Sequence, residues 1–479
     1  MTDIEKRICL RDLSAGRIHM IGVGGSSMSG LALLLKNRGY TVSGSSVGDS
    51  EYVSELLARG IEVMMGDCAG HVDGADLVVY SHAIQEDNVE LMAARETGVP
   101  VMSRSQLLGQ ISEEFSRSIS VCGTHGKTTV TSMLAQILIE AGADPTVHIG
   151  GILPSMGGNI RAGKSDLFLT EACEFQRSFL CLYASDIMLL NIDADHLDCY
   201  RDIDEIESTF GTFLEKLPAD GWALGNGEDE RVVRQFRDLK CRRATFGFTD
   251  SCDYRMENAA EDARGFFRFD FSYRQEKLGH VRMAIPGSFN AKNAAAALAE
   301  AHHLGIDMRS ACKSIGNFTG AHRRFEQTGY LHGAEVFHDY GHNPTEMRNA
   351  LSIARKRCDQ GRLWAVMQPH TYSRVTALFQ EYLCCTQTAD ITLVTDIYAA
   401  REVDSGDINS GILVEGMKAK GIKAIWTPCL EDAAAMLDRG VRTGDLVLTM
   451  GCGNIYLLNE MLRDLEEKPA GRSDTERGT

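Results

Sequence analysis

The chain has 479 residues, of which 44% are hydrophobic and 24% are charged, and its formal net charge is −17. This length is too great for one ordinary core and predicts about three domains, while the composition excludes a disordered protein. The acidity opposes non-specific binding to nucleic acid, and no run reaches the roughly 18–20 apolar residues of a membrane span.

The first hundred residues alternate apolar runs with helical patterns. They begin (MTDIEKRICL) without a basic segment and a long apolar run, which predicts a cytoplasmic chain with no secretory signal. The predicted strands cover residues 18–22, 41–44, 77–80 and 99–102, and the predicted helices cover 28–38, 51–58 and 89–96. This alternation is typical of βαβ units around a mostly parallel sheet.

Two further cycles follow. The second has predicted strands at 118–122, 167–170 and 187–192, helices at 127–141 and 291–303, and antiparallel strands between about 242 and 285. The third has predicted strands at 335–339, 363–368, 391–395 and 446–450. The sequence therefore predicts an α/β protein of three domains, at 1–113, 114–321 and 322–479. Fourteen scattered cysteines without a CxxC pair are typical of buried free thiols in a reducing compartment.

A strand-to-helix junction at residues 118–134 (SISVCGTHGKTTVTSML) is the strongest chemical signal in the chain. Its loop consists of Gly123, Thr124, His125, Gly126, Lys127, Thr128 and Thr129. The glycines let backbone N–H groups surround phosphate oxygens, while Lys127 can reach the β- and γ-phosphates and Thr128 can ligate Mg²⁺. Val121 stands where the general P-loop pattern has its outer glycine, so an ordinary strand–helix turn is the alternative.

Two acidic clusters follow predicted strands. The first contains Glu171 and Glu174, and the second contains Asp193, Asp195, His196 and Asp198. Because ligands of open parallel sheets lie beyond the carboxyl ends of the strands, both clusters could converge on the phosphate loop and its Mg²⁺. The alternative for each acid taken alone is a solvated helix cap, and for His196 it is a polar turn residue.

Ten segments of the chain, taken together and in this order, resemble one protein family far more specifically than any single motif does. They are GVGGSSMSGLA (22–32), GTHGKTT (123–129), EACEFQRSFL (171–180), NIDADHLDCY (191–200), PGSFNAKNAAAALA (286–299), HRRFE (322–326), DYGHNPTEM (339–347), QPHTYSRV (368–375), TDIYAAREVDSG (395–406) and MGCGNIY (450–456). In these segments the chain resembles the Mur ligase family, and within it the members that add alanine. The resemblance implies a Rossmann-like N-terminal domain that binds a UDP-sugar, a central P-loop ATPase domain, and a Rossmann-like C-terminal domain that closes over the site.

The resemblance also implies a reaction. In this family the lactyl carboxylate of UDP-N-acetylmuramate attacks the γ-phosphate of ATP, and the amine of L-alanine then attacks the acyl phosphate. The products are an amide, ADP and phosphate, in peptidoglycan biosynthesis. The expected cofactor is Mg²⁺, with Mn²⁺ as an alternative. The expected partners are the three substrates, without nucleic acid or membrane, and the expected state is a monomer or weak homodimer.

Matching positions imply roles for individual residues. The expected catalytic residues are Lys127, Glu174 and His196. The expected Mg²⁺ ligands are Thr128, Glu174 and His196, although histidine is an unusual ligand for so hard a cation. Besides the phosphate loop, the expected ATP contacts are Asn290, Asn293, Arg324 and Asp339; for the two asparagines, simple helix capping is the alternative. The expected substrate contacts are Gly22, Gly24, Gly25, Ser26, Ser27, Tyr340, His342, His370 and Arg374.

The glycine loop at 22–27 has two interpretations. It resembles a dinucleotide fingerprint, which would favour NAD, yet Ser27 occupies its third glycine position and no acidic residue is obvious about 20 residues further on. Within a Mur ligase, the same backbone donors would bind the UDP pyrophosphate. Four residues depart from the expected family pattern and put the uridine contact and amino-acid selectivity in doubt; they are Ser46, Phe289, Asn343 and Thr371.

Three alternatives stay open at this point. The first is a sister ligase that attaches a recycled tripeptide, or a later-acting Mur ligase, because these share the ATPase core. The second is an NAD-binding regulatory or redox protein, which would leave Lys127 and the acidic strand ends unexplained. The third is a catalytically silent nucleotide-binding partner. The intact site residues argue against it; they are Lys127, Thr128, Glu174 and His196.

Overall fold

The computed structural model describes residues 9–10, 13, 16–81, 83–196, 199–358, 360–400, 402–404 and 406–467. Asp198, the last member of the second acidic cluster, lies outside these residues. All fourteen cysteines lie inside them and are free thiols. Within the same ranges, no helix is both long and apolar enough to cross a bilayer.

The first sheet is parallel and has helices between its strands. The strands are β1 (Arg17–Ile21), β2 (Thr41–Ser46), β3 (Glu62–Met65), β4 (Leu77–Tyr80) and β5 (Val101–Ser103), in the order β3-β2-β1-β4-β5. The helices are α1 (Ser26–Asn37), α2 (Glu51–Ala58), α3 (Val89–Thr97) and α4 (Arg104–Ser112), and a 3₁₀ turn covers Ala69–Val72. The predicted βαβ order is confirmed. The prediction omits β3 and α4, because β3 is a short, half-exposed edge strand and α4 is buried on most of its faces.

The second sheet has a parallel centre and antiparallel pairs at both ends. Its strands are β6 (Arg117–Cys122), β7 (Thr146–Leu153), β8 (Gly158–Arg161), β9 (Leu167–Glu171), β10 (Asp186–Leu189), β11 (Trp222–Asn226), β12 (Arg242–Gly247), β13 (Tyr254–Glu261), β14 (Phe266–Tyr273) and β15 (Glu276–Pro286), in the order β15-β14-β13-β12-β11-β10-β6-β9-β7-β8. The helices are α5 (Lys127–Glu140), α6 (Ile203–Leu214), α7 (Glu230–Phe236), α8 (Ser288–His303) and α9 (Met308–Asn317), with 3₁₀ turns at Pro154–Met156 and Phe175–Cys181.

One prediction for this sheet needs correction. The stretch 242–285 is expected to be antiparallel, but β12 pairs parallel with both β11 and β13, and the antiparallel ladder consists of β13, β14 and β15. The physical reason is the connection: helix α7 returns the chain so that β12 lies parallel to β11, whereas short turns join β13 to β14 and β14 to β15. The parallel strands β6, β9 and β10 end at one edge, below called the carboxyl edge, where the glycine loop and both acidic clusters begin.

The third sheet is parallel except at one side. Its strands are β16 (Glu326–Leu331), β17 (Ala334–Asp339), β18 (Leu363–Met367), β19 (Ile391–Val394), β20 (Ala424–Trp426) and β21 (Leu446–Met450), in the order β16-β17-β21-β18-β19-β20. The helices are α10 (Pro344–Arg357), α11 (Tyr372–Ala377), α12 (Phe379–Tyr382), α13 (Ser410–Ala419), α14 (Leu430–Gly440) and α15 (Tyr456–Glu467). The four predicted strands are confirmed, and the two edge strands are additional.

Buried apolar side chains connect the first two sheets, while the third has separate cores. One hydrophobic cluster extends from Ile111 on α4 to Phe179 beside the second sheet. At this contact a Cβ on Gly109 would lie 2.2 Å from the carbonyl oxygen of Cys181, so only glycine lets the two segments approach. Two further clusters cover the faces of the third sheet. The domain boundaries near residues 113 and 321 stay a prediction.

Candidate functional site

The glycine loop between β6 and α5 is shaped by contacts outside itself. Gly123 has a φ of +132° and Gly126 a φ of +88°, a region that L side chains rarely adopt. A Cβ on Gly126 would lie 2.7 Å from Oδ1 of Asn293, so α8 approaches the loop closely. On the other side, Oδ1 of Asn191 accepts the N–H of His125 at 2.8 Å, and Nδ2 of Asn191 donates to the carbonyl of His125 at 2.9 Å. The loop thus has a defined shape at the start of α5.

Lys127, the first residue of α5, has its ammonium surrounded by oxygen atoms. Its Nζ donates to the carbonyls of Gly123 at 2.6 Å and Thr124 at 2.9 Å. The same Nζ lies 2.8 Å from Oε2 of Glu174, which is almost fully buried. Burial alone would lower the pKa of Lys127, but the carboxylate of Glu174 raises it overall. A charged ammonium is therefore held at the phosphate loop.

Thr128 contacts Glu171, which the sequence places in the first acidic cluster but which is not among the expected Mg²⁺ ligands. The hydroxyl of Thr128 donates to Oε2 of Glu171 at 3.2 Å, and Oε1 of Glu171 accepts the N–H of Gly150 at 2.9 Å. Burial raises the pKa of Glu171. The register explains the contact: β9 ends at Glu171 and pairs with β6, whereas Glu174 precedes the following 3₁₀ turn. The role of Glu174 as a metal ligand stays a prediction.

Glu174 and His196 lie side by side at the carboxyl edge. Oε1 of Glu174 is 3.9 Å from Nε2 of His196, and the hydroxyl of Tyr200 donates to the carbonyl of Glu174 at 2.5 Å. His196 has a φ of +51°, which turns the chain sharply at this point. Burial lowers the pKa of His196, so its ring is neutral, as a metal ligand must be. A carboxylate and a neutral imidazole therefore lie beside Lys127.

Arg374 on α11 brings the third domain to the same place. Its Nε donates to Oδ1 of Asp195 at 3.0 Å, and both side chains are less than 10% exposed. Its Nη1 lies 2.9 Å from Nδ1 of His370, and its Nη2 lies 3.4 Å from Nδ1 of His196. Burial would raise the pKa of Asp195, but the guanidinium charge of Arg374 lowers it, so the carboxylate is ionised.

Asp339 and Arg324 lie at the end of β17. The carboxylate of Asp339 accepts the N–H of Phe325 at 2.8 Å and of Gly341 at 2.7 Å, and burial raises its pKa. It thus holds two backbone segments together. The guanidinium of Arg324 lies 5.1 Å from the ring centroid of Tyr340, which is a cation–π interaction. It holds Arg324, which is expected to bind ATP, against Tyr340, which is expected to bind the substrate.

One cavity collects residues from all three parts of the chain. It is lined by Ser26, Tyr52, Lys127, Thr128, Glu171, Cys173, His196, Arg324, Tyr340, His342, His370, Arg374 and Cys452. The ring centroids of His342 and His370 are 5.5 Å apart, and those of His342 and Tyr340 are 5.9 Å apart. The structure therefore brings together residues that the sequence separates by more than 340 positions.

A second, mostly apolar pocket adjoins the glycine loop. It is lined by His125, Gly126, Thr129, Ile285, Phe289, Asn290, Asn293, Arg324, Phe325, Asp339 and Glu346, with others. Nδ2 of Asn290 donates to the carbonyl of Pro286 at 2.7 Å, and Nδ2 of Asn293 donates to Oδ1 of Asn290 at 3.3 Å. A flat ring with hydrogen-bonding edges suits two oriented amides beside aromatic walls.

The N-terminal glycine loop lies where the first two domains meet. It contains Gly22, Gly24 and Gly25, which lie between β1 and α1, and Ser26 and Ser27, which are the first two residues of α1. The hydroxyl of Ser26 donates to the carbonyl of Gly150 at 3.2 Å. The hydroxyl of Ser27 lies 2.9 Å from Nε2 of His148 and accepts from Nη1 of Arg104 at 3.1 Å. Ser26 lines the large cavity, whereas Ser27 joins the two domains, and the pyrophosphate contacts of the loop stay a prediction.

The four departures from the family pattern have identifiable positions. Ser46 lies against the N-terminal loop, where its Oγ would be 2.5 Å from a Cβ on Gly24. Phe289 lines the second pocket. Asn343 caps α10 through its side chain, and Thr371 has a φ of +61° at the start of α11. Asn343 and Thr371 therefore shape the starts of α10 and α11, two helices beside the large cavity.

The sequence predicts no role for Asn191 or Glu346, and for Asp195 it predicts only a place in the second acidic cluster, but the structure places all three in the site. Asn191 holds the glycine loop, Asp195 pairs with Arg374, and Glu346 contacts His125 at 3.3 Å. Asn191 and Asp195 lie in a quoted motif, after a strand. Glu346 follows the cap residue Asn343 by three positions, the spacing of a capping box, but that pattern predicts a helix start and not an interdomain contact.

Three family models match consecutive parts of the chain. They are "Mur ligase family, catalytic domain" at residues 17–116, "Mur ligase middle domain" at 121–301 and "Mur ligase, glutamate ligase domain" at 323–453. These matches cover well over half of the chain and agree with the predicted three-domain α/β architecture.

Named relatives are similar over nearly the full length. A UDP-N-acetylmuramate–L-alanine ligase of Caldanaerobacter subterraneus subsp. tengcongensis is 40% identical over 452 residues, which are 94% of this chain and 98% of that protein. The same-named protein of Acetivibrio thermocellus is 39% identical over 93% of this chain and 95% of that protein. The crystal structure of UDP-N-acetylmuramate–alanine ligase from Thermotoga maritima has a TM-score of 0.80 at 25% identity. The match covers 94% of this chain and 98% of that one. A murein peptide ligase from Psychrobacter arcticus shares the fold, with a TM-score of 0.76 at 24% identity and coverage of 95% and 100%.

Proposed function

This chain belongs to the Mur ligase family, and from that premise we propose that it joins L-alanine to the lactyl carboxylate of UDP-N-acetylmuramate at the expense of ATP. The products are UDP-N-acetylmuramoyl-L-alanine, ADP and phosphate, and the reaction belongs to peptidoglycan biosynthesis. The observation that carries the proposal is the cavity in which Lys127 and Thr128 face Arg374 and His370 of the third domain.

The glycine loop and Lys127 serve the first half of the reaction. Backbone N–H groups at the start of α5 bind the ATP phosphates, and the sugar carboxylate attacks the γ-phosphorus while ADP leaves. Lys127 neutralises the charge that builds up on the transferring group. The adenine ring occupies the pocket beside Phe289, where Asn290 and Asn293 present amides to its edge.

The residues around Thr128 fit a magnesium ion. A hydroxyl and carboxylates are hard oxygen donors, and Mg²⁺ is usually held by one or two carboxylates together with substrate phosphates. Among the described residues, no three His, Cys, Asp or Glu side chains form a metal site by themselves, which suits a cation that shares the ATP oxygens. We assign Thr128, Glu174 and His196 to Mg²⁺, with Mn²⁺ as an alternative, and add Glu171 because it contacts Thr128. When bound, the ion supplies charge neutralisation at the phosphoryl group.

The third domain serves the second half of the reaction. Arg374 is a planar donor that suits the carboxylate of L-alanine, and Tyr340, His342 and His370 line the same space. The free amine then attacks the acyl carbon, the amide bond forms and phosphate leaves. In this proposal the sugar nucleotide binds the first domain (1–113), ATP the second (114–321), and the third (322–479) brings the amino acid.

An assay of phosphate release tests the proposal. The purified chain is expected to release phosphate only when UDP-N-acetylmuramate, ATP, Mg²⁺ and L-alanine are all present. A preference for the recycled tripeptide over L-alanine, or for UDP-N-acetylmuramoyl-L-alanine as the acceptor, would assign the chain to another Mur ligase. Glycine and L-serine in the same assay measure selectivity, and tight binding of NAD without the UDP-sugar would support a redox protein.

The proposed enzyme works in the cytoplasm, where ATP and UDP-sugars are made, as a monomer or weak homodimer. Light scattering after size-exclusion chromatography, at several protein concentrations, measures the oligomeric state. A stable assembly larger than a dimer would contradict this part of the proposal.

A further inference from the structure

His125 belongs to the glycine loop, yet its imidazole lies between two carboxylates. Its Nε2 is 3.2 Å from Oδ2 of Asp193 in the central domain, and its Nδ1 is 3.3 Å from Oε1 of Glu346 in the third domain. The side chains of His125 and Glu346 are 17% and 19% exposed. Both ring nitrogens are therefore engaged, and one of the two contacts crosses a domain boundary.

The charge state of His125 agrees with this position. Burial alone would lower its pKa, but the hydrogen bonds to Asp193 and Glu346 raise it to about 10. Burial would raise the pKa of Glu346, but His125 and His342 lower it well below its ordinary value. The imidazolium is thus balanced by two carboxylates, whereas the loop shape depends on the backbone of His125 and on Asn191.

Glu346 connects this ion pair to residues that face the cavity. It is the third residue of α10 and forms a capping box with Asn343. One of its oxygens also accepts the N–H of His342 at 3.2 Å. His342 and Tyr340 precede the helix and line the cavity. A carboxylate that His125 holds in place therefore also holds the segment that carries these two side chains.

We propose that His125 is a positioning residue, whose imidazole ties the nucleotide loop to α10 through Glu346 and sets the closed position of the third domain. The inference rests on the proposed function. It gives the side chain of His125 a role other than the ATP binding that the loop pattern predicts for this residue. The backbone of the loop binds the nucleotide, and the side chain of His125 acts on Tyr340 and His342 through Glu346. Other contacts also cross the same boundary, among them Arg374–Asp195 and Arg324–Thr128, so loss of the His125 contact weakens closure without abolishing it.

A double-mutant cycle with His125→Gln, Glu346→Gln and the double variant tests this role. Glutamine at position 346 preserves the capping box, which accepts either Glu or Gln at this position. Glutamine at position 125 leaves the backbone contacts with Asn191 in place. The matched control is His332→Gln, because its Nε2 lies 2.8 Å from Asp438 in an exposed pair within the third domain alone.

Each single variant is expected to raise the KM for L-alanine about tenfold, and the double variant no more than the worse single one, because both substitutions break one contact. The affinity for ADP, measured by calorimetry without the UDP-sugar, is expected to stay within about twofold of the wild-type value, because backbone groups bind the phosphates. Small-angle X-ray scattering is expected to show less compaction with the UDP-sugar and a non-hydrolysable ATP analogue. His332→Gln is expected to match the wild type.

Two results would overturn the proposal. Losses that multiply to about a hundredfold in the double variant would show that the two residues act independently. A loss of ADP affinity in His125→Gln that persists in the Glu346→Gln background would make His125 a phosphate contact. Calorimetry and scattering require no turnover, so ADP affinity and compaction can be compared among the variants even if the wild-type protein does not ligate L-alanine, a result that would overturn the proposed function alone.

Discussion

Charged side chains are buried at both ends of the parallel strands of the central sheet: at the carboxyl edge, and at the opposite end where the strands begin, here called the amino edge. The two groups differ in which domain supplies their partners. At the amino edge, Arg117 at the start of β6 donates to both oxygens of Asp186 at the start of β10, at 3.1 and 2.9 Å. Glu300 of α8 accepts from Nε1 of Trp222 at 3.0 Å. Every partner in this group belongs to the central domain.

At the carboxyl edge, several partners belong to the third domain. Lys127 pairs with Glu174 in its own domain, whereas Asp195 pairs with Arg374 across the boundary. Folding of the central domain completes the amino edge, but the carboxyl edge is complete only when the third domain docks. Contacts that a domain movement can break suit a catalytic cycle, and contacts within one domain suit stability.

The largest effect is expected at the carboxyl edge, from Lys127→Ala. Without the ammonium, the charge on the transferring phosphoryl group is uncompensated, and phosphate release is expected to fall by at least about 10²–10³-fold. Calorimetric binding of UDP-N-acetylmuramate is expected to persist, because the proposed sugar site is on the first domain. Equal loss of turnover and sugar binding would contradict this division between domains.

A smaller effect is expected from Asp195→Asn, which keeps the side-chain shape but removes the charge that holds Arg374. A neutral acceptor replaces a charge-assisted one, so the KM for L-alanine is expected to rise about tenfold in steady-state assays. Asp250→Asn is the control, since Asp250 is 98% exposed in its pair with Arg255 and is expected to be neutral. An unchanged KM in Asp195→Asn would show that the docked geometry of Arg374 does not depend on Asp195.

At the amino edge, Asp186→Ala is expected to change stability and not chemistry. The free energy of unfolding is expected to fall by about 2 kcal/mol. This loss is smaller than for a fully buried ion pair, because Arg117 reaches solvent. For a domain of this size, that loss lowers the melting temperature by about 4–8 °C in calorimetry. Turnover per folded molecule is expected to be retained at 25 °C, and a loss of turnover without a loss of stability would contradict the comparison of the two edges.

The smallest effect is expected from Glu300→Gln. Burial and the nearby carboxylate of Asp186 raise the pKa of Glu300 well above its ordinary value. The folded protein therefore keeps a proton that the unfolded chain releases near pH 4.3, so stability falls as the pH rises above about that value. Glutamine can still accept from Trp222 and carries no charge.

The measurement for Glu300→Gln is the melting temperature across pH. As the pH rises above about 4.3, the melting temperature of the variant is expected to fall less than that of the wild type, by a few degrees. Parallel pH profiles for the two proteins would show that Glu300 does not carry the extra proton.

The sequence by itself determined the parts of the molecule that are local. β6, the glycine loop and α5 are contiguous, so an apolar run, two glycines and a helical pattern are enough to predict a strand–loop–helix turn of the kind that binds phosphate. The acidic clusters were predicted at the carboxyl edge because parallel strands end at the same side of a sheet. The edge strands β3, β16 and β20 were missed, since half-exposed strands carry little apolar alternation.

Tertiary structure decided which residues meet. Spacing along the chain does not distinguish Glu171 from Glu174 as the neighbour of Thr128, and only the pairing of β9 with β6 brings Glu171 to 3.2 Å. His125 and Glu346 are 221 positions apart, so no local pattern predicts their contact. The physical reason is that local propensity and periodicity act over a few residues, whereas an interdomain contact depends on how separately formed cores dock.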